Sequence, residues 1–141
     1  LLLRSEVRGG RTPAGERVLV VDVMGELVGF YAIATVAVIG GSFYPGVEGH
    51  NPLEPAALGI PTVFGPYMRN FIDPARALLE GDGALQTDAD HLRESLATLF
   101  DDAEARERLA GKGRSAVLAN QGAIARSLDV LEPLLNPSPA A

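Results

Sequence analysis

The residues of this chain best suited to chemistry lie in the heptapeptide GHNPLEP, residues 49–55. A histidine and an asparagine stand directly before a segment that reads as a helix start. Asn51 is a favourable N-cap, and Pro52 suits the first helical position, which needs no N–H and has φ already near the helical value. Glu54 then falls in the first turn. There its carboxylate is stabilised by the positive end of the helix dipole and faces whatever lies in front of the helix. The vicinal hydroxyls of a ribose are the natural partners for such a group. The heptapeptide is equally well explained by a capping Asn51, a dipole-complementing Glu54 and no ligand.

A second candidate is VLVVDVMGEL, residues 18–27. Four apolar residues followed by Asp22 and then Met24, Gly25 and Glu26 read as a buried strand running through a turn into a helix. Such junctions gather main-chain N–H groups able to hold an anion, and Gly25 lets a ligand approach the backbone closely. A third is IGGS, residues 39–42, where Gly40, Gly41 and Ser42 end a predicted strand. A ligand could meet the main chain there, although an ordinary tight turn needs the same residues.

In combination and at these separations, MGEL, IGGS and GHNPLEPAALGIP resemble the C-terminal domain of the 3-deoxy-D-manno-octulosonic acid (Kdo) transferases of Gram-negative bacteria. The resemblance runs from about Leu1 to Leu135. It implies a Rossmann-like, doubly wound parallel α/β sheet, the C-terminal half of a GT-B glycosyltransferase, and a role in moving Kdo from CMP-Kdo onto a lipid A precursor. It further implies that the nucleotide is met by Met24 and Gly25 through backbone and packing, and by Glu26. Gly41 and Ser42 lie along the same ligand, with His50, and Asn51 and Glu54 hold the ribose and the helix end. No catalytic residue is assigned, because the family's catalytic carboxylate belongs to the N-terminal domain. No metal and no cofactor are expected. The acceptor, and contact with the cytoplasmic face of the inner membrane, would come through that other domain, so this chain alone should be soluble and should not turn over.

Two departures from the family pattern stand out. The usual GDTMGEL reads VDVMGEL here, so Val23 replaces a hydroxyl donor while backbone contacts are unaffected. The loop at residues 43–48 reads FYPGVE in place of a polar, glycine-rich run. Two other readings carry forward: a GT-B enzyme using a UDP-sugar, and a non-catalytic nucleotide-binding or interaction module.

His50 also raises the possibility of a metal ligand or a base. His50 and Glu54 are four residues apart, but Pro52 and the cap place His50 outside the helix, so the two need not share a face. The other histidine, His91, falls in a predicted surface helix, which argues against a metal site.

Composition agrees with these expectations. With 141 residues and 47% hydrophobic content, one core and one domain are expected. The absence of cysteine excludes disulfides and cysteine-based sites. A formal charge of −6 with a single lysine, Lys112, argues against nucleic acid as a partner. Residues 1–3 are followed at once by Arg4, Ser5 and Glu6, which does not read as a signal peptide. The longest apolar run, residues 27–41, falls short of the roughly twenty residues a spanning helix needs.

The elements that must position these motifs alternate. Strands are predicted at residues 1–5, 18–22, 35–40, 62–64 and 84–86, the unbroken apolar runs suiting a parallel sheet buried on both faces. Helices are predicted at residues 26–34, 52–58, 73–80, up to Phe100 after a cap at Asp88 or Asp90, and from near Asp102 onward. Residues 6–16 read as a glycine- and arginine-rich loop. Ile124, Leu128, Leu131 and Leu135 form a core-facing stripe, residues 1–135 one donor-binding domain, and residues 136–141 a disordered tail. In the GT-B order 3-2-1-4-5-6, the first three strands here would be strands 2, 3 and 4. Strand 1, which sits between 2 and 4, would be missing, leaving a slot in the sheet.

Overall fold

Short apolar runs followed by glycine- or aspartate-rich turns become parallel strands, and the amphipathic stretches between them become crossover helices. The computed structural model describes residues 1–121 together with Leu131. The order is β1 (Leu2–Leu3), α1 (Arg4–Arg8), β2 (Leu19–Val20), α2 (Leu27–Tyr31), β3 (Ala37–Ile39), α3 (Leu53–Ala57), β4 (Thr62–Phe64), α4 (Ile72–Glu80), β5 (Leu85–Gln86), α5 (Leu92–Asp101) and α6 (Ala103–Ala119). Single 3-10 turns follow β3 at Gly40–Ser42 and precede α4 at Arg69–Phe71.

All strand pairs are parallel, and the pairing falls into two groups. β1 pairs with β2, while β3, β4 and β5 pair in that order. The pairing is interrupted between these two groups, and in the GT-B order strand 1 would be expected between β1 and β3. No strand joins the two groups among the described residues. β4 is the central strand of the larger group and is buried throughout, Thr62 included, whose hydroxyl donates to the Ile60 carbonyl at 2.9 Å. The core gathers around it. Ile39, Ala56, Phe64, Met68, Ala75, Leu78 and Ala84 form the main cluster, and Phe43, Val63 and Leu99 a second one toward α5. By contrast, Leu19 and Val20 of β2 are 40% and 38% exposed.

The interruption leaves β1 and β3 without hydrogen-bonded neighbours on one edge. The chain on its own is therefore expected to unfold over a broad range of temperature with a low calorimetric enthalpy. A sharp transition approaching about 0.7 kcal/mol per residue would refute that.

α6 closes the larger unit by packing across α3, α4 and α5. Asp102 caps it, accepting from the Ala105 N–H at 2.8 Å, and Arg106 donates to the carbonyls of Leu99 and Phe100 at the end of α5. The close approach of α6 to the α4–β5 turn depends on two glycines. A Cβ at Gly83 would stand 2.5 Å from Gly113 Cα, and one at Gly113 would stand 2.6 Å from the Gly83 carbonyl oxygen.

Most elements stand where the sequence places them, but the strands are shorter, and the first part of the predicted 6–16 loop is different. Arg4–Arg8 is helical because its first turn is satisfied from a distance. The Asp22 carboxylate accepts from the Ser5 N–H at 2.8 Å and from the Ser5 hydroxyl, and Glu6 accepts from the Leu3 N–H at 3.2 Å. The stripe at Ile124, Leu128, Leu131 and Leu135 lies outside the described residues except for Leu131. That residue is 47% exposed. The tail at residues 136–141 is likewise outside them.

Candidate functional site

The MGEL turn has the backbone the sequence requires. Gly25 adopts φ +85°, a left-handed conformation that a side chain would strain, and Met24 is 95% exposed beside it. Glu26 is committed to partners in α1. Its carboxylate takes the Arg4 Nε at 2.5 Å and Nη2 at 3.3 Å, with Arg8 Nη1 at 3.7 Å. Ser5, through its hydroxyl first and then its amide, holds the Asp22 carboxyl below the usual carboxylate range. The turn is thus fastened to α1 at two points. Beside it lies a cavity of about 690 Å³ whose lining includes Arg4, Gly25, Glu26, Leu2, Leu19 and Phe30. None of the candidate residues from Gly41 to Glu54 lines that cavity. Arg4 escaped sequence reasoning, since nothing in a separation of 22 residues announces its pairing with Glu26.

The GGS turn is built by packing. Ser42 is fully buried; its hydroxyl donates to the Ile39 carbonyl at 2.5 Å and accepts from the Gly65 N–H at 2.6 Å. Its own carbonyl accepts from the Tyr67 N–H at 2.9 Å. The serine side chain therefore ties the ends of β3 and β4 together, and what this turn presents outward is main chain. A Cβ on Gly41 would meet Val47 Cγ1 at 2.6 Å and His50 Nδ1 at 3.0 Å, so the His50 ring lies against Gly41. The Gly49 N–H donates to the Gly41 carbonyl at 3.1 Å, closing the loop onto the turn.

The NPLEP segment follows directly. Helix α3 runs from Leu53, with Pro52 at the cap in an αR backbone, one residue later than the sequence places the cap. Asn51 still supplies the missing acceptor: its Oδ1 takes the Leu53 N–H at 3.1 Å, and its Nδ2 donates to Glu54 Oε1 at 3.2 Å. Glu54 Oε1 is held in this way, and among the described residues Oε2 has no hydrogen-bond or ion-pair partner. The Tyr31 hydroxyl at the end of α2 is raised above its ordinary value, first by burial and then by the nearby Glu54 carboxylate. Tyr31 was missed by sequence reasoning; only the packing of α2 on α3 reveals it.

The structure therefore brings Gly41, Ser42, His50, Asn51 and Glu54 into one group, joined by Tyr31, while Met24, Gly25 and Glu26 form a second, fastened to α1. A pre-oriented carboxylate can accept hydrogen bonds from a diol, while glycine main chain nearby allows close approach of an anion to N–H groups. No cluster of three or more metal-ligating side chains exists among the described residues.

His91 stands apart from these groups at the start of α5. Asp88 Oδ1 accepts from its N–H at 2.9 Å and lies 2.7 Å from its Nδ1, an exposed pair that also serves the helix start. The side-chain bond to Asp88 raises the His91 pKa from its reference of 6.5, while the His91 main-chain N–H first, and its ring second, lower that of Asp88. The histidine's contribution to stability is thus full below its unfolded value and lost as pH rises through its raised folded value. The aspartate's is full above its unfolded value and lost as pH falls through its depressed one. The pair is strongest in the weakly acidic window between. An NMR titration should show His91 titrating above 6.5, and Asp88→Asn should bring it down.

The parallel doubly wound arrangement, with glycine turns after the strands and a carboxylate in the first turn of α3, defines the C-terminal half of a GT-B glycosyltransferase fold. A crystal structure of the C-terminal CMP-Kdo binding domain of WaaA from Acinetobacter baumannii superposes with a TM-score of 0.72 and 33% identity, covering 82% of this chain and 59% of that one. Within that class, the chain is homologous to part of the 3-deoxy-D-manno-octulosonic acid transferases. It is 40% identical to the one from Haemophilus influenzae over 84% of its own length, and 36% identical to the one from Bordetella pertussis over the same share. It spans 28% of the length of each. No family model matches the chain.

Proposed function

We propose that this chain is the donor-nucleotide part of a Kdo transferase. It holds the CMP moiety of CMP-Kdo while a second domain binds the acceptor and supplies the catalytic base. In this reading Glu54 and Asn51 hold the ribose. The main chain of Gly41, with His50, borders the phosphate, and the MGEL turn with Met24, Gly25 and Glu26 borders the base. Ser42 contributes by fixing the GGS turn. Positive main-chain dipoles near the leaving CMP would stabilise the charge that develops on it. The observation that carries the proposal is the likeness to a CMP-Kdo binding domain across four-fifths of the chain.

The whole enzyme would transfer Kdo to a lipid A precursor in lipopolysaccharide synthesis at the cytoplasmic face of the inner membrane. No helix among the described residues is long and apolar enough to cross a membrane; in this proposal the membrane contact is made by the second domain. Calorimetric titration with CMP, UMP and GMP tests the reading: CMP should bind most tightly by a clear margin. Preference for UMP would transfer the site to a UDP-sugar enzyme, and no binding by a folded chain would leave an interaction module.

A further inference from the structure

The loop that carries His50 holds an unfavourable backbone. Glu48 has φ +61° without being glycine, and Gly49 follows at φ +83°. A non-glycine residue in the left-handed region persists where surrounding structure over-determines it. Here that structure is Asn70. Its side-chain Nδ2 donates to the Val47 carbonyl at 3.1 Å, and its main-chain N–H donates to the Glu48 carbonyl at 3.1 Å. The two bonds grip successive carbonyls of the strained step. Immediately beyond it, Gly49 fits under Met68 and Tyr67, where a Cβ would stand 2.6 Å from Met68 Sδ and 3.2 Å from the Tyr67 carbonyl oxygen. Gly49 then bonds Gly41, and His50 and Asn51 follow in the chain.

We propose that Asn70 is a positioning residue for the nucleotide site, acting through residues 47–49 to set the approach of His50, Asn51 and Glu54. The proposal rests on the CMP-binding reading. In this reading Asn70 acts through the loop and not by contact with the nucleotide. It converts the segment before α3 from a flexible connection into one with a fixed exit, so that the ligand does not have to order it. A main-chain bond alone would leave Val47 free to turn; the side-chain bond removes that freedom.

The test compares CMP affinity and unfolding midpoint in the wild-type chain, Asn70→Ala, Leu96→Ala, and Asn70→Ala combined with Glu48→Gly. Leu96 packs in the cluster around Phe43, Val63 and Leu99 and serves as a core control. Asn70→Ala should weaken CMP about tenfold, the scale of one oriented hydrogen bond. Leu96→Ala should lower the midpoint at least as far yet change affinity by less than about twofold. Glycine at position 48 tolerates the left-handed backbone at no steric cost and should restore part of the lost affinity. Unchanged affinity in Asn70→Ala, or an equal loss in Leu96→Ala, would overturn the proposal. Amide spectra of the ligand-free protein give a second readout. Peaks of residues 47–54 should shift or broaden in Asn70→Ala while those of α5 and α6 stay in place, and an unperturbed loop would also overturn it. Should the wild type fail to bind CMP, the donor reading falls, and these spectra alone decide whether Asn70 positions the loop.

Discussion

Replacing Glu54 with alanine should weaken CMP binding by about 10- to 100-fold, the range expected for hydrogen bonds to a charged acceptor. The reason is geometric as well as electrostatic. Asn51 holds one carboxylate oxygen at 3.2 Å, so Glu54 meets a ligand with its rotamer already chosen. Alanine would remove the acceptor and release Asn51 Nδ2 as well. Glu54→Gln keeps the shape but loses the charge, and an intermediate affinity is expected. Stability should change little, since a first-turn carboxylate contributes only about 0.3–1 kcal/mol to a helix. Calorimetry with CMP separates the outcomes: wild-type affinity in Glu54→Ala would remove the ribose role from this residue.

Gly65→Ala is expected to be the most damaging glycine-to-alanine change among the described residues. An added Cβ would lie 2.3 Å from the Ser42 carbonyl oxygen, 2.7 Å from its carbonyl carbon and 2.9 Å from Phe43 Cα. All three are main-chain atoms at the buried junction of β3 and β4, so no side chain can rotate away. Relief requires the strands to separate. That would strain the Gly65 N–H bond to the Ser42 hydroxyl and the Tyr67 N–H bond to the Ser42 carbonyl together. A loss of about 3 kcal/mol or more is expected, at the upper end of overpacking. CMP affinity should fall with it, because the GGS turn sits on this junction. Gly111→Ala is the matched control. It lies in α6, where an added Cβ meets nothing within 4 Å, so a gain of about 0.5–1 kcal/mol is expected. Urea unfolding of the two variants should move in opposite directions; a Gly65→Ala chain as stable as wild type would show that the junction can open without cost.

The sequence by itself determined the periodic and local features of this protein. Apolar runs located the strands but not their burial: β4 is buried throughout, whereas Leu19 and Val20 of the apolar VLVV run are exposed, against the buried strand expected there. The turn at Gly25 was legible, though not its left-handed backbone, and so was Asn51 as the acceptor at the start of α3, because both depend on residues one to three positions away. The parallel pairing of the strands also followed from their alternation with helices along the chain.

Tertiary structure alone decided which candidate side chains remain available and which are used within the fold. Ser42 joins two strands, Glu26 binds Arg4, and Asp22 caps α1 from 17 residues away. Tyr31 enters the group around Glu54 only because α2 packs on α3. Asn70 grips a loop 23 residues earlier in the chain. The physical reason is common to all of these. Backbone propensity and hydrophobic period act over one or two turns of chain, whereas a hydrogen bond or ion pair forms between whatever groups packing brings within about 3 Å. Spacing in the sequence carries no record of that encounter.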